Sequence, residues 1–153
     1  MQVASISDTK DRHASLIAVG GLLLGLKFFG DAAQAVAPPD IGPVLDVAAL
    51  VLALAGVLLI VPVFIWKVRH LSARERRVYF SSESFTAEVA GRARAASWNV
   101  TLLALIVLDV AYRGSPALPV EFFVHTLIGV AFTVFAGVFL VLNREPSEAG
   151  ADG

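Results

Sequence analysis

VLDVAALVLALAGVLLIVPVFIW (Val44–Trp66), followed at once by KVRHLSARERR (Lys67–Arg77), is the stretch that decides the fold. The first part carries a single charge, Asp46, near its start. At ~1.5 Å per helical residue it is long enough to cross ~30 Å of hydrocarbon. The second part is basic and polar. An apolar run of membrane length that stops at a cluster of Lys and Arg reads as a transmembrane helix ending on the cytoplasmic side.

Working outward, a second apolar run, Ala14–Ala37, comes before this stretch, and two more, Trp98–Tyr112 and Phe122–Leu142, come after it. The segment Lys67–Ser97 separates the two pairs and holds Lys67, Arg69, Arg74, Arg76, Arg77, Arg92 and Arg94. The pattern predicts an all-α membrane protein of four transmembrane helices, arranged as two antiparallel hairpins, with a cytoplasmic amphipathic or helical segment between helices two and three. The helices are expected at about 14–36, 44–68, 96–113 and 120–143. Polar tails fill 1–12 and 144–153, and the whole forms one domain.

Composition agrees. Of the 153 residues 57% are hydrophobic, against ~45–50% in soluble domains. The excess is concentrated in the four runs. The longest polar stretch, Lys67–Ser97, is too short for a core of its own. There is no cysteine, which excludes disulfides, thiolate metal sites and a cysteine nucleophile. The first run does not fit a cleaved secretory signal. Ala14–Gly30 is longer than the ~7–15 residues of a signal core, and Asp8 and Asp11 dilute the basic start. The first helix is therefore read as retained; its removal would leave three.

Orientation follows from the basic residues. Of the twelve Lys and Arg, Lys10, Arg12, the seven of the middle segment and Arg144 fall in the tails or that segment. The two short loops, Asp31–Pro43 and Gly114–Glu121, hold Asp31, Asp40 and Glu121 but no Lys or Arg; of the remaining two basic residues, Arg113 lies at an outer helix end and Lys27 within the first span. Both tails and the middle segment are expected in the cytoplasm, and both short loops outside. The expected location is the plasma (inner) membrane. Pro38-Pro39-Asp40 with Gly42-Pro43, and Gly114-Ser115-Pro116 with Pro119, break the helices at the outer turns. Trp66 and Trp98 are expected to anchor the cytoplasmic ends of helices two and three, and Tyr112 the outer end of helix three. Pro62 is expected to kink helix two.

In the middle segment, Ser72 and Glu75 have capping-box spacing and predict a short helix through about Tyr79. Phe85, Val89 and Ala93 recur at i, i+4, i+8. They either lie along the membrane surface or run into helix three. Arg74, Arg76, Arg77, Arg92 and Arg94 are candidates to contact anionic lipid headgroups on the cytoplasmic side, each worth ~1 kcal/mol near such a surface.

Charge inside a span is costly and marks the first place to look for function. The candidate intramembrane polar cluster is Lys27, Asp31, Asp46, Asp109, Glu121 and His125. Depth counted from the outer loops puts all six in the outer half, with Lys27 deepest at ~10–12 Å. They could line an outward-opening pocket around Lys27, with Lys27 facing Asp109 or His125. Packing explains most of them as well. Lys27 can reach the interface along its own stem or pair with Asp31, and Asp109 can pair with Arg113 one turn away. Asp46 and Glu121 sit near first turns, where a carboxylate meets the positive end of the helix dipole. Small residues form a second signal: Gly21 and Gly25 on helix one, Ala49 and Ala53 on helix two, and Gly129, Thr133 and Gly137 on helix four. They permit close approach of helices, within one chain or between chains.

No GxSxG, P-loop, GxGxxG or HExxH occurs. His13 and His70 share a depth, but at the water boundary, which suits no haem, and His125 lies near the other side. No catalytic residue, metal or cofactor is expected. The basic residues are explained by topology and lipid rather than nucleic acid. The expected function is a non-enzymatic accessory or scaffolding subunit in a homo- or hetero-oligomer, associated with itself or another membrane protein. The alternative is a small transporter or channel whose oligomer forms an ion, proton or small-anion pathway around Lys27.

Overall fold

The computed structural model describes residues 2–70, 85–114 and 117–143. They form four α-helices: α1 (Gln2–Gln34), α2 (Gly42–His70), α3 (Phe85–Gly114) and α4 (Val120–Leu142). Each is long and apolar enough to cross a membrane, over Arg12–Gln34, Gly42–Trp66, Ala87–Gly114 and Val120–Leu142.

The ends follow the expected chemistry. After α1 the chain turns at Pro38, whose carbonyl accepts from the Ile41 and Gly42 amides at 3.1 and 3.2 Å. Pro119, extended at φ −69° and ψ 150°, precedes α4. Pro needs no amide partner at these positions, and its fixed φ suits a helix start. Asn143 closes α4 by donating its amide to the Phe139 carbonyl at 2.9 Å. Pro62 lies within α2, which continues past it to His70.

One helix start differs from expectation, and a second decides between two alternatives. α1 begins at Gln2, so the expected polar tail 1–12 is largely helical. Nothing between Gln2 and His13 breaks a helix: there is no Gly or Pro. α3 begins at Phe85, ahead of the apolar part that starts near 96, so Phe85, Val89 and Ala93 run into helix three, one of the two placements expected for them. Val89, Ala93 and Ser97, at i, i+4, i+8, are buried together on one face. Val89 and Ala93 join Ala18 of α1 and Phe139 of α4 in one apolar cluster. Tertiary contact thus carries α3 on into a stretch whose own hydropathy is low. The expected helix at Ser72–Tyr79 lies outside the described residues.

α1 packs on both α2 and α4, and α4 packs on α3; no other pair of helices packs to a comparable extent. The lateral order is α2, α1, α4, α3: an open row rather than a closed bundle. Small residues set the approach. A Cβ on Gly20 would stand 2.9 Å from the Gly56 carbonyl oxygen, and a Cβ on Gly56 would stand 2.9 Å from that of Gly20. Further along the same contact, Gly30 meets Ala49, and His13 meets the Trp66 ring at 4.6 Å between centroids. The opposite side of α1 faces α4. A Cβ on Gly25 would collide with Thr133 Oγ1 and stand 3.0 Å from the Thr133 nitrogen, while Gly129 lies against the Phe29 ring. Gly20 and Gly21 therefore divide the two faces: Gly20 serves α2, and Gly21 and Gly25 serve α4.

Besides glycines, the buried residues among those described are Ala18, Ala32, Ala49, Val63, Val89, Ala93, Ala136 and Phe139, with Ser97 the one buried polar residue. Alanine dominates because backbones this close leave no room for more. Large side chains point outward instead, among them Leu58 at 69%, Trp98 at 65% and Val110 at 65% exposed. In water such a surface would be a severe liability. In lipid it is the expected arrangement, because hydrocarbon supplies no force to bury Leu and association rests on close packing.

One hydrogen bond fixes the height of α3. The buried Ser97 hydroxyl donates to the Ala131 carbonyl at 2.8 Å, and Ala131 is the central residue of α4. Trp98 therefore stands at mid-height of α4 and inside α3, not at an end of helix three as expected. Trp66, beside His13 at the start of the apolar part of α1, does stand at an end.

Candidate functional site

Lys27 and Asp31 lie one turn apart on α1, and their side chains form an ion pair that is largely buried, with 27% and 14% exposed. Lys27 Nζ also stands 4.7 Å from the centre of the Phe28 ring, close enough for the ring's quadrupole to attract it. Across the α1–α4 contact, Phe28 meets His125 and Phe132, each at 6.0 Å between ring centroids. Phe28 is thus the shared wall between the ion pair and the imidazole. His125 Nδ1 is buried and has no hydrogen-bond partner among the described residues.

The other candidates stand apart. Asp109 accepts from Arg113 Nε at 3.0 Å on an exposed face of α3, with the two side chains 55% and 76% exposed. Asp46 is exposed on α2, at the far end of the row from α3. Glu121 is exposed in the first turn of α4. The structure therefore brings Lys27, Asp31 and His125 together and leaves Asp46, Asp109 and Glu121 outside that group. Height explains part of this. Asp109 lies twelve residues beyond Ser97, ~18 Å above the centre of α4 at ~1.5 Å per residue. That distance exceeds half of a ~30 Å hydrocarbon layer.

Chemically, the group is a neutralised ion pair on an aromatic face with an imidazole behind it. A cation whose charge is already matched by an adjacent carboxylate has little net field to offer a free anion. Among the described residues no three His, Asp or Glu side chains converge as metal ligands.

Of the basic residues expected at lipid headgroups, Arg74, Arg76 and Arg77 lie outside the described residues. Arg92 pairs with Glu88 at 2.7 Å, with both side chains exposed, and Arg94 is exposed.

The expected small-residue stripes are partly redrawn. On α4 Gly129 and Thr133 meet α1, but a Cβ on Gly137 would meet nothing within 4 Å, and the fully buried Ala136 takes its place. On α2 Ala49 is buried and Gly56 makes the closest approach, while Ala53 is half-buried. Gly20, Gly56 and Ser97 were not singled out by motif. The signal for Ser97 was present in the Val89, Ala93, Ser97 spacing, one step beyond the recurrence Phe85, Val89, Ala93. No protein-family model, no curated protein and no solved structure matches this chain.

Proposed function

We propose that this chain is a small integral membrane protein that works as a non-enzymatic accessory or scaffolding subunit of an oligomer in the plasma (inner) membrane. In this reading both termini and the segment between α2 and α3 are cytoplasmic, and the helices form two antiparallel hairpins, α1–α2 and α3–α4. The observation that carries it is the open row. Among the described residues α2 and α3 each pack extensively on one neighbour and present much of their length outward. Such a chain has one occupied middle and two helices free to meet other proteins. The paired heights of Gly20 with Gly56 and Gly30 with Ala49 support the antiparallel arrangement of the first hairpin.

A transport role rests on Lys27, Asp31 and His125. It is weakened by the pairing of Lys27 with Asp31 and by the separation of the other three candidates. Lipid with anionic headgroups and another membrane protein, or a second copy, are the partners of this reading; nucleic acid, metal and cofactor have no part in it.

Two experiments test it. A reporter active only outside the cytoplasm, fused after Pro39, is expected to be active, and fused after Ser82, silent. Activity at Ser82 or silence at Pro39 overturns the orientation. Purification from the native membrane in gentle detergent is expected to yield an oligomer or a complex with a second membrane protein. A monomer that elutes alone overturns the accessory reading.

A further inference from the structure

α3 carries an amide where none of the described residues covers it. Ser97 is level with the centre of α4 through its bond to Ala131. Asn99, two residues on, is then ~3 Å from that level. It is exposed, on the side of α3 turned away from α4. An amide presented to hydrocarbon has no hydrogen-bond partner there, and no water to replace one. Unlike an arginine, asparagine has no stem with which to reach the headgroups.

Asn99 does not stand alone. Ala95, Asn99, Leu102 and Ile106 follow one another at steps of four, three and four, and all four are exposed. This is the spacing of a left-handed coiled-coil seam. The same alternation reaches Arg92 and Glu88 on one side and Asp109 and Arg113 on the other, all exposed too. Each end of the seam thus holds one acid and one base a turn apart, already paired within the helix.

We propose that this seam is an interaction surface for a second copy of the chain, α3 against α3, with Asn99 at its centre. The proposal rests on the oligomer reading above and names the surface and the partner. Self-complementarity selects a second copy over a different protein. Two copies inserted in the same direction meet about a two-fold axis along the membrane normal, so each residue of the seam faces its own counterpart. Asn99 can do so, because an amide is both donor and acceptor and two of them satisfy each other. The charged ends can do so as well. Arg92 of one copy comes within a turn of Glu88 of the other, and Asp109 and Arg113 repeat this at the opposite end. A partner of one charge would match only half of each end. Ala95 beside Asn99 keeps the helices close enough for the amides to meet.

The natural absence of cysteine makes the test direct. Single variants Ala95→Cys, Leu102→Cys and Ile106→Cys of the full chain, oxidised in lipid vesicles, are expected to give disulfide-linked dimers. Leu105→Cys, on the flank of α3, and Leu58→Cys, on the outward face of α2, are expected to cross-link severalfold less. Energy transfer between differently labelled copies, diluted with lipid, is expected to show about tenfold weaker association for Asn99→Leu, with Asn99→Gln close to the natural chain. Cross-linking strongest at Leu58→Cys, or an Asn99→Leu variant that associates as well as the natural chain, overturns the surface while leaving oligomerisation intact. No energy transfer at any density overturns self-pairing altogether. A second protein co-purified from the native membrane would then sustain the accessory reading without it.

Discussion

Gly25→Ala perturbs the α1–α4 contact at its tightest point. The new Cβ would collide with Thr133 Oγ1 and stand 3.0 Å from the Thr133 nitrogen and 3.2 Å from the Gly129 carbonyl oxygen. The hydroxyl could rotate away, but the other two atoms are backbone, so α1 and α4 must separate or slide. Overpacking of this kind costs about 1–3 kcal/mol. The better helix propensity of alanine returns ~0.5–1 kcal/mol. The net expectation is a loss of about 1–2 kcal/mol. Gly137→Ala is the control: same helix chemistry, but its Cβ meets nothing within 4 Å, so it is expected to be neutral or stabilising by up to ~1 kcal/mol. Adding Thr133→Ala to Gly25→Ala removes the collision with the hydroxyl and leaves the two backbone contacts. The pair is expected to be non-additive and to recover part of the loss. Reversible unfolding in mixed micelles, followed by helicity, measures these three variants and Thr133→Ala alone. If Gly25→Ala came within ~0.5 kcal/mol of Gly137→Ala, the margin below which substitutions count as independent, the close approach of α1 and α4 would be refuted.

The Ser97 hydroxyl joins α3 to α4, and Ser97→Ala is expected to cost about 1 kcal/mol in the same assay, typical of interhelical bonds in membranes; a neutral Ser97→Ala would mean that this bond does not hold α3. Double-mutant cycles on Lys27→Met with Asp31→Asn are expected to show coupling above ~0.5 kcal/mol, and Lys27→Met with Asp109→Asn none. Coupling of Lys27 to Asp109 would contradict the placement of Asp109 beside Arg113.

Much of this architecture can be read from residues in order, because a membrane crossing writes itself into consecutive positions. The apolar length of Val44–Trp66, the prolines at 38, 39, 43 and 119, and the crowding of arginine between the runs require no knowledge of neighbours. The pairing of Lys27 with Asp31 was equally open to view, being a matter of four residues on one helix. Where α3 begins was open only as one of two alternatives. Hydropathy marks Trp98–Tyr112 as the apolar part, whereas the packing of Val89, Ala93 and Ser97 on α4 and α1 draws the helix back to Phe85. The lateral order was hidden for the same reason. Gly20 and Gly56 sit outside the i, i+4 pairs that draw attention, and only their meeting across two helices shows their use. The six polar residues looked like one group because depth alone was counted; which side of each helix they occupy divides them.

The height of α3 is the claim on which most depends, since it places Asn99 in hydrocarbon. Trp98 reports it. The chain has two tryptophans, so Trp66→Phe leaves Trp98 as the only one. Its fluorescence can be measured in bilayers of lipids brominated at successive positions along the acyl chain. The packing of Ser97 on Ala131 predicts strongest quenching by bromines near the chain ends, with Trp98 within about 5 Å of the bilayer centre. Strongest quenching by bromines nearest the headgroups, at ~12–15 Å from the centre, would place α3 by its apolar run instead and contradict the account.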